Sequence, residues 1–165
     1  MNKLLIAIAS TTLLATGSVF AGEAHMGGTI TEVCKVEGLD TSLTFPSMSV
    51  GSTVVDNDVT LTCNDGDGAE ITLTSSEGGM ESDDVEDYNV NYEATLTHGL
   101  GAPLVLVADG IAGNAGINDT SNSQQLNGST ALASGQLATL SVELTEQAVW
   151  AGGYSDTLSL DITPQ

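Results

Sequence analysis

Positive charge is almost missing from this 165-residue chain: it has two lysines, Lys3 and Lys35, no arginine, and 22 acidic residues. A formal net charge of −20 repels nucleic acid and anionic membrane surfaces, so neither is expected as a partner. Self-repulsion of this kind is costly in dilute buffer and weaker in salt. The acidity fits a saline habitat or a need for solubility, with specific cation binding as the alternative. Histidine is scarce as well. His25, near the start of the exported chain, and His98, before a glycine in a turn, stand outside any spaced ligand set, and both are expected to be solvated. There is no G-x-S-x-G elbow, and one lysine beyond the leader leaves no room for a Ser-Lys scheme. No catalytic residue, metal ligand set or cofactor site emerges, which disfavours an exported hydrolase. No apolar run approaches the roughly 20 residues of a membrane-spanning helix, and no segment pairs a helical period with caps.

What is present begins with an export leader. Lys3 supplies a positive start, Leu4 to Ala15 an apolar stretch, and Val19-Phe20-Ala21 a small-x-small cleavage site. Residues 1–21 are therefore read as a signal peptide, and the exported chain starts at Gly22. Cys34 and Cys63, the only cysteines, then lie in an oxidising compartment and are most simply one disulfide. It would tie the first strand of the exported chain to a later core strand.

Beyond the leader the pattern is all-β. Period-2 alternation marks Val59/Leu61/Cys63, Ala69/Ile71/Leu73, Tyr88/Val90/Tyr92/Ala94/Leu96, Ala138/Leu140/Val142/Leu144 and Leu158/Leu160/Ile162. The run Leu104–Ala108 suits a strand buried on both faces. Asn64-Asp-Gly-Asp-Gly68 and Glu77-Gly-Gly79 supply turns. Asp109 to Ser129 reads as one long polar loop, a length that is usually functional or mobile. About seven strands separated by Gly/Asn/Asp turns predict one immunoglobulin-like β-sandwich domain over residues 34–165.

Two acidic stretches, Asn64–Glu70 and Glu81–Asp87, are candidates for calcium, although the first lacks the third ligand and the closing glutamate of a calcium loop. Asn118-Asp-Thr and Asn127-Gly-Ser fit the glycosylation sequon but read as loop residues behind so short a leader. Residues 22–33 carry a different signal. Ala24, Met26, Gly28 and Ile30 alternate with His25, Gly27, Thr29 and Thr31 until Glu32 breaks the pattern, and such a free strand can pair with another molecule's sheet edge.

Three stretches together resemble a known family. Cys34-Lys-Val-Glu-Gly-Leu-Asp-Thr-Ser-Leu-Thr-Phe45, Val59-Thr-Leu-Thr-Cys-Asn-Asp-Gly66 with Ile71-Thr-Leu73, and Ala151-Gly-Gly-Tyr-Ser-Asp-Thr-Leu-Ser-Leu-Asp-Ile162 are similar to elements of spore coat protein U domains. These domains are the pilins of archaic chaperone–usher pili. The likeness covers both ends of the exported chain and little of its middle, and this chain differs in having Pro46 after Phe45 and in ending Thr163-Pro-Gln165. The resemblance implies a sandwich lacking its last strand, whose groove is filled first by a periplasmic chaperone. At the outer-membrane usher, the N-terminal strand of the next subunit would then replace the chaperone. On that reading Ala24, Met26, Gly28 and Ile30 donate, and Leu140, Val142, Leu144, Leu158, Leu160 and Ile162 wall the acceptor groove. The partners would be that chaperone, the usher and other pilin subunits, and the product a surface fibre for adhesion or biofilm. The rival expectation is a complete secreted sandwich that binds a glycan or calcium through the Asp109–Ser129 loop.

Overall fold

The computed structural model describes residues 25–85, 88–110 and 120–165. The proposed leader and Ala24 lie outside the described residues. The chain divides into two units, Met1–Ile30 and Thr31–Gln165. In the first, residues 25–30 carry no regular secondary structure and are exposed.

The second unit is an antiparallel β structure. Its strands are β1 (Cys34–Glu37), β2 (Thr53–Cys63), β3 (Ala69–Ser75), β4 (Met80–Ser82), β5 (Asn89–Val90) and β6 (Tyr92–Thr97). β7 (Leu104–Ala108), β8 (Thr120–Leu126), β9 (Gln136–Leu144), β10 (Tyr154–Ser155) and β11 (Leu158–Pro164) follow, with a short helix, α1 (Thr130–Ser134), before β9. A five-stranded sheet runs β1-β2-β9-β6-β7, a three-stranded sheet runs β11-β3-β8, and a small third sheet runs β10-β4-β5. The inward faces of the first two sheets make a single core, so the fold is an all-β sandwich.

Alternation decides which residues enter that core. Ile71 and Leu73 of β3, Ala94 and Leu96 of β6, and Leu140 and Leu144 of β9 are buried, while the Thr and Glu residues between them are more accessible. β2 needs one correction of phase. Its pairing with β9 shifts register between Asp56 and Val59, so Val54 and Asp56 share an inward face before the bulge, and Val59, Leu61 and Cys63 do so after it. The extra residue changes the parity of an 11-residue strand and keeps both halves facing the core.

Several expectations are corrected. Leu104–Ala108 is an edge strand with one open face: Val107 is 49% exposed. The Tyr88–Leu96 pattern does not make one strand. It breaks at Asn91, whose carbonyl accepts from Thr145 and Glu146 N–H, so β5 and β6 belong to different sheets. Among the described residues there are eleven strands rather than about seven. The stretch expected as loop contains strand β8, a polar strand with only Leu126 in the core. It also leads into α1, which begins at the Ser129 cap, where Oγ accepts from Leu132 N–H at 3.1 Å and the turn buries Leu132. His98 is not solvated. It is 1% exposed, its Nδ1 accepts from Leu100 N–H at 3.2 Å, and its Nε2 faces Gln124 Oε1 at 3.4 Å.

Cys34 and Cys63 are joined, and they stand directly opposite each other in the β1–β2 ladder with Cα atoms 4.0 Å apart. The bridge closes a 29-residue separation that includes the whole irregular segment between the two strands. In the chain-entropy model such a loop contributes roughly 3.5 kcal/mol. Replacing both cysteines by serine is expected to lower the melting temperature by about 10 °C. Calorimetry of the double variant beside the oxidised wild type checks this, and an unchanged transition would mean the bridge adds nothing that the ladder lacks.

Candidate functional site

The sandwich has two seams where the edge of one sheet meets the edge of the other, and they differ chemically. At the β7/β8 seam, polar side chains of β8 reach the backbone opposite. Asn122 Nδ2 donates to the Val105 carbonyl at 2.7 Å, and Gln124 Nε2 donates to the Ala102 carbonyl at 3.0 Å. One β7 acceptor and one just ahead of the strand are thereby occupied, which blunts strand addition there. At the other seam, β1 and β11 come within 8 Å Cα to Cα without forming a ladder. Among the described residues, β11 pairs only with β3, β1 pairs only with β2, and neither outer edge accepts or donates a further hydrogen bond.

β1 covers only Thr60–Cys63 of β2, so the N-terminal half of β2 has no neighbour on that side. An open groove of about 470 Å³ lies beside this gap. Val54, Leu140 and Val142 line it from the large sheet, and Leu158 lines it from the start of β11. Tyr92 and Asp156 add polar atoms, and the irregular segment after β1 contributes Leu39, Leu43 and Phe45. The groove is thus apolar on its sheet sides with a β-edge at its margin, a form suited to an extended apolar segment.

Asp156 fixes one end of the groove. Its carboxylate accepts from Ser75 Oγ at 2.5 Å, Tyr92 OH at 2.6 Å, Thr157 N–H at 2.6 Å, and Ser76 Oγ and Glu77 N–H at 3.1 Å. One side chain therefore joins the end of β3, the inner face of β6 and the start of β11. Burial pushes the Tyr92 phenol far above its ordinary value near 10, and the hydrogen bond to Asp156 adds to the rise. Next to Asp156, Tyr154 packs edge-on against Tyr88 with centroids 6.1 Å apart, and its hydroxyl donates to the Trp150 carbonyl. Gly152 and Gly153 bring bare backbone against Asp84 and Asp83, where a Cβ would collide with either carboxylate. The Gly-Gly-Tyr-Ser-Asp-Thr stretch thus has a structural reason at nearly every position.

No protein-family model matches this chain, and no curated protein matches it.

Of the six residues named as groove walls, Leu140, Val142 and Leu158 line this groove, whereas Leu144, Leu160 and Ile162 sit in the core outside its lining. Met26 and Ile30 are 96% and 91% exposed, and Gly28 between them is exposed and also without strand structure. Sequence reasoning missed Val54, hidden by the bulge that reverses its parity. It also missed the roles of Tyr92 and Asp156, since a hydrogen-bond node across three strands leaves no periodic trace. The turn after Cys63 is held by Asp65 Oδ1 accepting from Asp67 N–H, while Glu70 accepts from Ser123 Oγ across the sheet. Among the described residues no three His, Cys, Asp or Glu side chains gather as a metal site. Glu86 and Asp87 of the second acidic run lie outside the described residues, as do Asn118 and Asp119 of the first sequon.

Truncating Asp156 strands the buried Tyr92 hydroxyl as well as Ser75. Asp156→Ala is expected to cost about 3 kcal/mol by denaturant titration, and Tyr92→Phe in that background should add far less than it does alone. The raised Tyr92 value also predicts alkaline lability. The folded chain keeps the phenolic proton that the unfolded chain releases above about pH 10. This stabilisation is therefore complete below pH 10 and falls by up to about 1.4 kcal/mol per pH unit above it. Tyr92→Phe should flatten that decline; an equally steep decline in the variant would contradict the assignment.

Proposed function

We propose that this chain is a structural subunit of a chaperone–usher surface pilus, assembled by donor-strand exchange and serving adhesion or biofilm formation. The observation that carries the reading is the unequal treatment of the two seams. At β7/β8 two side chains bridge the seam to backbone carbonyls, while among the described residues β1/β11 presents edges without a ladder partner beside an apolar groove. A strand added there gains main-chain hydrogen bonds along the edge, and alternate side chains seated in the groove fix its register. The exposed Met26 and Ile30, spaced for one face of a strand, supply a candidate donor. Donation from one copy to the next is head-to-tail and does not close on itself, so it propagates a fibre. In this reading, a periplasmic chaperone covers the groove until the usher exchanges it for the arm of the next subunit. Export to the cell surface follows from the leader and is part of the same proposal.

The test is expression of residues 22–165 in a periplasm with and without a candidate chaperone, followed by unheated SDS gels. The expected result is degradation alone, rescue by the chaperone, and SDS-resistant ladders that disappear with Ile30→Asp. A well-folded monomer that never forms ladders would favour the complete, non-polymerising sandwich instead.

A further inference from the structure

The segment between β1 and β2 lines the groove with apolar side chains, although its backbone joins no ladder there. It leaves β1 at Gly38, whose φ of +78° turns the chain beside the Asp58 carbonyl, so closely that a Cβ would overlap that oxygen. From there Leu39, Leu43, Phe45 and Met48 return to the core as half-buried side chains. The same residues line the groove next to Leu140 and Leu158. Residues 38–52 nevertheless form no strand, and among the described residues they make no ladder with β11 or with the outer edge of β2. Pro46 has no N–H to offer a ladder.

Two bonds tie residues 39–48 to the rest of the domain, one near each end. Asp40 N–H donates to Asp56 Oδ2 at 2.7 Å, and the Met48 carbonyl accepts from Ala148 N–H at 3.0 Å. Asp56 is 3% exposed, and its other oxygen accepts from Asp58 N–H at 3.0 Å within the bulge. The bulge thus turns a buried carboxylate toward the start of the segment.

We propose that residues 39–48 form a displaceable plug, which walls one side of the groove with Leu43 and Phe45 in the unassembled chain and is ejected by the incoming strand. This rests on the donor-strand reading above and adds the regulation of that groove. The asymmetry of the contest supports displacement. Apart from the bonds of Asp40 and Met48 the plug covers apolar surface, whereas a strand covers the same surface and also satisfies the β11 edge. Gly38 is the hinge about which the plug leaves, and Asp56 is the latch that retains it. The disulfide between Cys34 and Cys63 anchors both flanking strands while the plug moves.

The test measures how fast the full exported chain captures a fluorescein-labelled peptide with the sequence of residues 22–33, followed by anisotropy. Phe45→Ala and Leu43→Ala are compared with wild type, and thermal melts confirm that each is folded. Both side chains are only half-buried, so two independent variants keep the comparison available. The plug predicts capture about tenfold faster in either variant. Equal or slower capture by folded variants overturns the plug and leaves the donor-strand reading standing. Absence of capture by every chain, wild type included, removes that reading and the plug with it.

Discussion

Backbone donors and acceptors at a sheet edge must find partners, and this requirement organises the whole sandwich. A closed barrel meets it by joining its edges. This chain meets it at β7/β8 with Asn122 and Gln124, whose amides hydrogen-bond the carbonyls of Val105 and Ala102. Among the described residues no comparable side chain is placed at β1/β11, and the β1 strand is only four residues long. Burial of the apolar faces holds the two layers together there, the disulfide ties β1 to β2 within one layer, and the outer polar edges have no ladder partner among the described residues.

Asp156 explains how the open side stays ordered. A strand with one free edge lacks half of its ladder, and β11 begins beside the groove. The carboxylate compensates by binding the end of β3, the Tyr92 hydroxyl and the first N–H ahead of β11. Since Tyr92 also lines the groove, one hydrogen-bond node both fixes the start of β11 and shapes the groove wall. The Gly152-Gly153 backbone against Asp83 and Asp84 supports this corner from outside.

The fold class and the bridge were legible in the sequence because both rest on local signals: period-2 burial in β3, β9 and β11, and two cysteines following a stretch with the pattern of an export leader. β8 was not legible, since Thr120-Ser-Asn-Ser-Gln-Gln125 carries no apolar alternation. Its side chains serve β7's backbone and Glu70 rather than a core. His98 was misjudged for a related reason: its burial depends on Gln124, a partner 26 residues away. Half of the named groove walls line the groove, while Val54 escaped notice behind a bulge and Phe45 behind a segment that never becomes a strand. Periodicity finds the strands; which edges remain open depends on contacts between strands.

Hydrogen exchange read by mass spectrometry, with and without saturating peptide of residues 22–33, tests the central claim most directly. The account predicts slowed exchange at Leu158–Ile162 and Cys34–Glu37, where unpartnered edges gain a strand, and no change at Leu104–Ala108. Protection appearing at Leu104–Ala108 instead, or nowhere, would contradict it.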